Sequence, residues 1–236
     1  MVRPPRNRLA GWYSRGFVVD IFDEVNEDLR AERAQQLLKR YGGVLVAVAL
    51  LIVGATAGWQ AWKWWEARRD LAAASQFLNA MFQADRIGSD GKGRPEAIRA
   101  FEAVAGTAPS GYATLARLRV AALQADAGDV RSAAALWDQI ASDRGADPLL
   151  RDFASLMWVQ HQLDTGDPAL LEARLKPLTA AGNPWRALAL EAQGLLDLHS
   201  GKTDAAKTLF RQLAEDATAP QGVRSRANGL LVQLGG

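Results

Sequence analysis

Residues 41–62 read YGGVLVAVALLIVGATAGWQAW, with no charged side chain between Arg40 and Lys63. As a helix rising ~1.5 Å per residue, the stretch is about 33 Å long, enough to cross a hydrocarbon core of roughly 30 Å. In lipid a lone segment has to be helical, because only a helix or a closed barrel satisfies every backbone group there. Tyr41 marks one end, and Trp59, Trp62, Trp64 and Trp65 mark the other, where amphipathic rings prefer the headgroup level. Arg40 and Lys63 can extend outward past the ends. Two other readings compete. A buried core helix of a soluble domain rarely runs this long without charge. A cleaved signal peptide could use Ala55-Thr56-Ala57, but about 40 residues of mixed charge precede the run, far more than an ordinary n-region. The stretch predicts a single membrane anchor.

Residues 1–40 lead into this span. Residues 1–16 hold Arg3, Arg6, Arg8 and Arg15 among Pro and Gly and read as a flexible basic tail. In the following segment Val18, Ile21, Phe22, Val25 and Leu29 fall at helical spacing, which predicts a short amphipathic helix on the membrane or on itself. Eight Lys/Arg precede the span, four of them in residues 30–40, and Lys63, Arg68 and Arg69 follow it closely. The positive-inside bias therefore expects residues 1–40 in the cytoplasm and residues 63–236 outside it. Within the span Gly43, Ala47, Gly54 and Gly58 share one helical face, a small-residue stripe that would let another helix approach closely.

Beyond the span the chain repeats. Pro109, Pro148, Pro184 and Pro220 are spaced by 39, 36 and 36 residues, and Gly128, Gly166 and Gly201 by 38 and 35. Paired helical patterns lie between these marks. First helices are expected at 111–127, 147–164, 184–200 and 221–234, and second helices at 129–142, 168–180 and 203–217; residues 66–86 and 95–106 form an earlier pair. Asp147-Pro148, Asp167-Pro168 and Asn183-Pro184 each set a capping side chain before a proline suited to the first helical position, and Asp129 and Thr203 are further cap candidates. Residues 187–220 carry Gly194, Gly201, Ala206 and Phe210, and residues 114–147 carry Ala121, Gly128, Ala133 and Trp137 at the same offsets. Small residues let the two helices of a hairpin touch, and the aromatic fills the gap to the next hairpin. This pattern resembles the tetratricopeptide repeat. Residues 152–185 keep only Gly166 of it, with Leu171 and Leu175 elsewhere. The fold class expected is all-α, one transmembrane helix followed by a tetratricopeptide-like solenoid of helical hairpins.

Chemistry is sparse. Residues 63–236 carry twenty basic and twenty acidic side chains, so no basic patch is visible and nucleic acid is a poor partner. The chain has no cysteine, which excludes disulfides and thiolate chemistry and is compatible with any compartment. His161 and His199 each stand alone on a helix and read as surface or groove residues, not ligands. GSDGKG at 88–93 lacks the spacing of a phosphate loop and reads as a turn. No enzyme activity, cofactor, metal or small-molecule substrate is expected. What remains is an interaction surface. First helices line the inner face in this repeat class, and the register places Leu115, Leu118, Phe153, Leu156, Gln160, Leu188, Glu191, Leu195 and His199 there. Several of these leucines could equally be core.

Read together, residues 21–51 (IFDEVNEDLRAERAQQLLKRYGGVLVAVALL) running into GWQAWKWWEARR at 58–69, with the repeats behind, resemble the YfgM-like ancillary SecYEG translocon subunit family. The resemblance covers all but the Arg-rich residues 1–16 and rests on layout and loose similarity. It implies a single-pass inner-membrane protein, N-terminus inside and repeats in the periplasm. Its implied partners are the Sec translocon and either periplasmic folding factors or secreted chains. The alternative is a membrane-tethered scaffold for another envelope complex that never touches unfolded chains.

Overall fold

A computed structural model describes residues 21–235, with side chains from Lys39 onward. The expected tail of residues 1–16, and the side chains of the expected amphipathic helix, lie outside the described residues. Every element in the described residues is helical: α1 (Ile21–Ala84), α2 (Arg94–Thr107), α3 (Ser110–Asp126), α4 (Val130–Ser142), α5 (Pro148–Gln160), α6 (Pro168–Leu178), α7 (Arg186–His199), α8 (Thr203–Glu215) and α9 (Gln221–Gln233). The chain divides into two compact units, Met1–Lys63 and Trp64–Gly236.

In the first unit the apolar run is helical throughout, and none of its most apolar window is buried. Leu51 is 72% exposed and Val44 59%. A helix that offers this much branched apolar surface on every side has the length and composition to cross a membrane.

The second unit is a stack of helical hairpins. The last turns of α1 pair with α2, where Phe77, Met81 and Ala84 pack around Ala80, Phe101, Val104, Ala116 and Val120. The Phe77 ring meets Phe101 edge-on at 5.5 Å and Tyr112 at 6.0 Å. Then come α3/α4, α5/α6 and α7/α8, and α9 closes the stack. Each helix packs on the next in sequence. In addition α3 touches α5, α5 touches α7 and α7 touches α9, so these four helices form one continuous row. The expectation of stacked two-helix repeats is met.

The residues that carried the repeat pattern act as that pattern requires. A Cβ built on Gly194 would lie 2.6 Å from Cε1 of Phe210, so α7 and α8 meet at a contact that admits only hydrogen. Ala206 and Phe210 are fully buried beside Val223 and Ala227 of α9. In the earlier hairpin Ala121, Ala133 and Trp137 are buried, and the Trp137 ring lies 4.4 Å from that of His161, at the end of the following hairpin's first helix. Gly128 and Gly201 both adopt positive φ, 84° and 74°, and turn the chain between paired helices where a side chain would strain the backbone.

Caps set most of the boundaries. The Asp129 carboxylate accepts from the Ser132 N–H at 3.2 Å, Asp147 from Leu149 at 2.8 Å and Asp167 from Ala169 at 3.1 Å. Three boundaries differ from expectation. Residues 161–164 are turn and not helix, because the Gly166 N–H turns back to the Gln162 carbonyl at 2.7 Å and brings the chain round into α6. Pro184 precedes α7 and does not start it. Asn183 holds the intervening turn by accepting from the Trp185 N–H at 2.8 Å, and the Trp185 indole donates to the Leu149 carbonyl at 2.9 Å. Thr203 is the first residue of α8 and not its cap; the chain leaves α7 through a Lys202 N–H bond to the Asp197 carbonyl at 2.7 Å.

Candidate functional site: the row of first helices

The row α3–α5–α7–α9 is grooved in two places. The first groove, about 310 Å³, is lined by Phe77, Leu115, Leu118, Leu150, Phe153, Met157 and Trp185, with Trp137 at its floor and Arg119 as its one charged residue. Phe153 and Trp185 pack at 4.9 Å between ring centres. Heptad-like spacing on α5 brings Leu150, Phe153 and Met157 to one face, and the Asn183 turn delivers Trp185 against them. Such a surface has almost nothing to offer a polar ligand. It suits aliphatic or aromatic side chains presented on a protein segment.

The second groove, about 580 Å³, lies between α5, α7 and α9 and is lined by Gln160, Leu163, Glu191, Ala192, Leu195, Arg226, Gly229, Leu230 and Gln233. It has a charged wall. Glu191 is buried, and Arg226 on α9 donates to both of its carboxylate oxygens, Nε to Oε1 at 2.6 Å and Nη2 to Oε2 at 2.7 Å. That bidentate bond holds the Arg226 guanidinium above its ordinary pKa, against a smaller opposing effect of burial.

The residues expected on the inner face divide in three. Leu115, Leu118 and Phe153 come together in the first groove, and Gln160, Glu191 and Leu195 in the second. Leu156 is fully buried in the core between hairpins and presents no surface, and Leu188 packs half-buried against the same core. Leu118, at 7% exposure, reaches the groove only by its edge. His199 lies in neither groove; it is exposed at the end of α7, its Nε2 3.6 Å from Asp164. Leu150, Met157, Trp185, Phe77 and Arg226 belong to the grooves and were not anticipated. Stepping three back and four on from Phe153 finds Leu150 and Met157. Trp185 and Phe77 arrive from a turn and from a neighbouring hairpin, which no spacing on one helix reveals.

At the other expected sites, Tyr41, Trp59, Trp62, Trp64 and Trp65 are 47–64% exposed. Arg40 lies over the Tyr41 ring at 5.7 Å and Lys63 over Trp59 at 5.3 Å. In the second unit Arg68 stacks on Trp64 at 3.9 Å and Arg69 on Trp65 at 4.7 Å. Around Gly43, Gly54 and Gly58 a built Cβ meets nothing within 4 Å, so that face is open. Among the described residues no group of three or more His, Asp or Glu side chains is placed to hold a metal ion.

The sequence pattern of the tetratricopeptide repeat-like domain matches residues 35–232. The chain is 27% identical over 198 residues to the ancillary SecYEG translocon subunit of Escherichia coli (strain K12), covering 83% of this chain and 90% of that protein. No solved structure matches the chain.

Proposed function

Because the chain belongs to the tetratricopeptide repeat-like domain family, we propose that it is a membrane-anchored, non-catalytic adaptor that works beside the Sec translocon. Residues 41–62 are its anchor, residues 1–40 a cytoplasmic segment, and residues 63–236 a periplasmic repeat domain at the inner membrane. The orientation is supported by the Arg and Lys excess before the span. Association with the translocon is supported by the similarity to a protein named as its ancillary subunit. The observation that carries the reading is the pair of grooves on the odd-numbered row, one almost wholly apolar, in a unit that follows a charge-free helix directly in sequence. Exposed apolar grooves on repeat domains mark protein contacts. A domain held at the membrane meets secreted chains while their apolar side chains are still uncovered. The first groove would hold such segments, or a periplasmic folding factor, and so assist folding. Binding would be weak, because ordering a flexible segment costs ~2–5 kcal/mol of the gross interaction energy.

Photocrosslinkers placed at Leu115, Phe153 and Leu195 in the full chain, in its own membrane, test this. Capture of translocon subunits, secretory chains or periplasmic chaperones from these positions, and not from exposed Glu172 on α6, is the expected result. Equal capture from Glu172 would remove the grooves from the argument. Capture of one folded envelope protein at fixed stoichiometry would favour a scaffold over a folding adaptor.

A further inference from the structure

The first turns of the second unit carry a feature that protein adaptor work does not use. Arg68 lies 3.9 Å over the Trp64 ring and Arg69 4.7 Å over Trp65. Neither guanidinium has a carboxylate within ion-pair distance among the described residues, whereas Arg99, Arg117, Arg174, Arg186 and Arg226 each take one. Stacking on an indole occupies the face of a guanidinium and leaves its N–H edge free. That edge matches the paired oxygens of a phosphate diester. At 3.6 residues per turn, Arg68 and Arg69 stand about 100° apart around the helix axis. The nearest carboxylates in sequence, Glu66 and Asp70, are centred roughly 130° away on the other side. Both indoles are about half exposed, 57% for Trp64 and 48% for Trp65. The charge-free run ends two residues before Trp64, which places the stacks at headgroup depth if the run spans a membrane.

We infer that Trp64–Arg68 and Trp65–Arg69 form a clamp for the phosphate of an anionic phospholipid, gripped from two sides of the helix. The inference rests on the anchor proposed above. The stack fixes each arginine in place before binding, so less side-chain freedom is lost than for a lysine on a flexible stem. A net-negative headgroup is selected over a zwitterionic one because a choline ammonium beside the phosphate repels the guanidinium.

The test uses full-length protein in two steps. Flotation with pure phosphatidylcholine vesicles reads the anchor alone. Native mass spectrometry of protein extracted from an equal mixture of phosphatidylcholine and phosphatidylglycerol then reads headgroup choice. Phosphatidylglycerol should be retained preferentially. Arg68→Gln with Arg69→Gln should lower the retained ratio roughly thirtyfold, the scale expected for two cations at an anionic surface. Arg131→Gln with Arg211→Gln removes the same charge elsewhere and should leave the ratio intact. Trp64→Leu with Trp65→Leu keeps both charges and should still lower it. Flotation without headgroup preference overturns the clamp and leaves the anchor standing; failure to float overturns both. Equal loss in the two arginine variants, an unaffected tryptophan variant, or displacement of the lipid by inorganic phosphate also overturns the clamp.

Discussion

At Gly194 one hydrogen atom decides whether two helices can meet. Gly194→Ala puts a methyl group against a buried Phe210 ring that has no space to yield, since its other side packs on α9. Overpacking of this kind costs about 1–3 kcal/mol. A lower urea midpoint at unchanged slope is the expected result. Gly229 on α9 provides the contrast: its built Cβ meets nothing within 4 Å, so Gly229→Ala should be neutral or stabilise by up to about 1 kcal/mol. Glu191 and Arg226 form a second residue-scale case. Arg226→Met strands a buried carboxylate and should destabilise by about 1–3 kcal/mol, with half-exposed Arg226 keeping the effect below that of a fully buried pair. Glu191→Leu combined with Arg226→Met should recover most of the loss. A double variant no better than the single one would show that the pair contributes more than mutual neutralisation.

Among elements, α9 has the clearest task. It covers Phe210 and Leu213 of α8, and no helix follows it in the described residues. Ending the chain after Pro220 should uncover that cluster, raise binding of an apolar dye and remove amide protection from α7 and α8 first, while α3–α4 stay protected. The aspartate caps are smaller levers. Asp147→Ala and Asp167→Ala should each cost ~1 kcal/mol, read by thermal melting. These elements also show what sequence makes visible. Asp129, Asp147 and Asp167 announce themselves because cap chemistry is local and its partner lies two or three residues away. Thr203 misleads for the same reason: it has the right side chain, but Gly201 and Lys202 shape the turn so that the backbone is already helical when it arrives. The end of α5 was hidden because it depends on how the chain must bend to reach α6.

Over the whole molecule, the all-helical class and the hairpin order were legible, since a 36-residue proline interval and the Gly194–Phe210 spacing record contacts between sequence neighbours. The grooves were legible only by half. Their walls come from several hairpins at once, and helical periodicity cannot separate Leu156, which faces the core, from Phe153, which faces the groove. Acid should act on the repeat unit as a whole. Hydrogen bonds from Arg117 to Asp143, from Thr218 to Asp216 and from Ser132 to Asp129 hold those carboxyls below their ordinary pKa. Groups with depressed folded pKa values contribute stability that is complete above the unfolded carboxylate pKa of about 4 and is lost as pH falls through the folded values. The melting temperature should therefore hold between about pH 5 and 8 and fall below pH 4, and Asp143→Asn should flatten that fall. A reporter active only outside the cytoplasm, fused after Gly236, should be active; inactivity would reverse the proposed topology.

The ladder of contacts, in which each hairpin grips only its neighbours, has a mechanical consequence. A load applied at the C-terminal end is borne by one interface at a time, so the stack should peel from α9 in a series of small steps and re-zip in reverse. Optical-tweezer traces should show a staircase, where a domain with contacts between distant parts of its chain would yield in a single rip. A partner tugging on the last hairpin would open the second groove, whose wall α9 supplies, and leave the first groove between α3 and α5 intact.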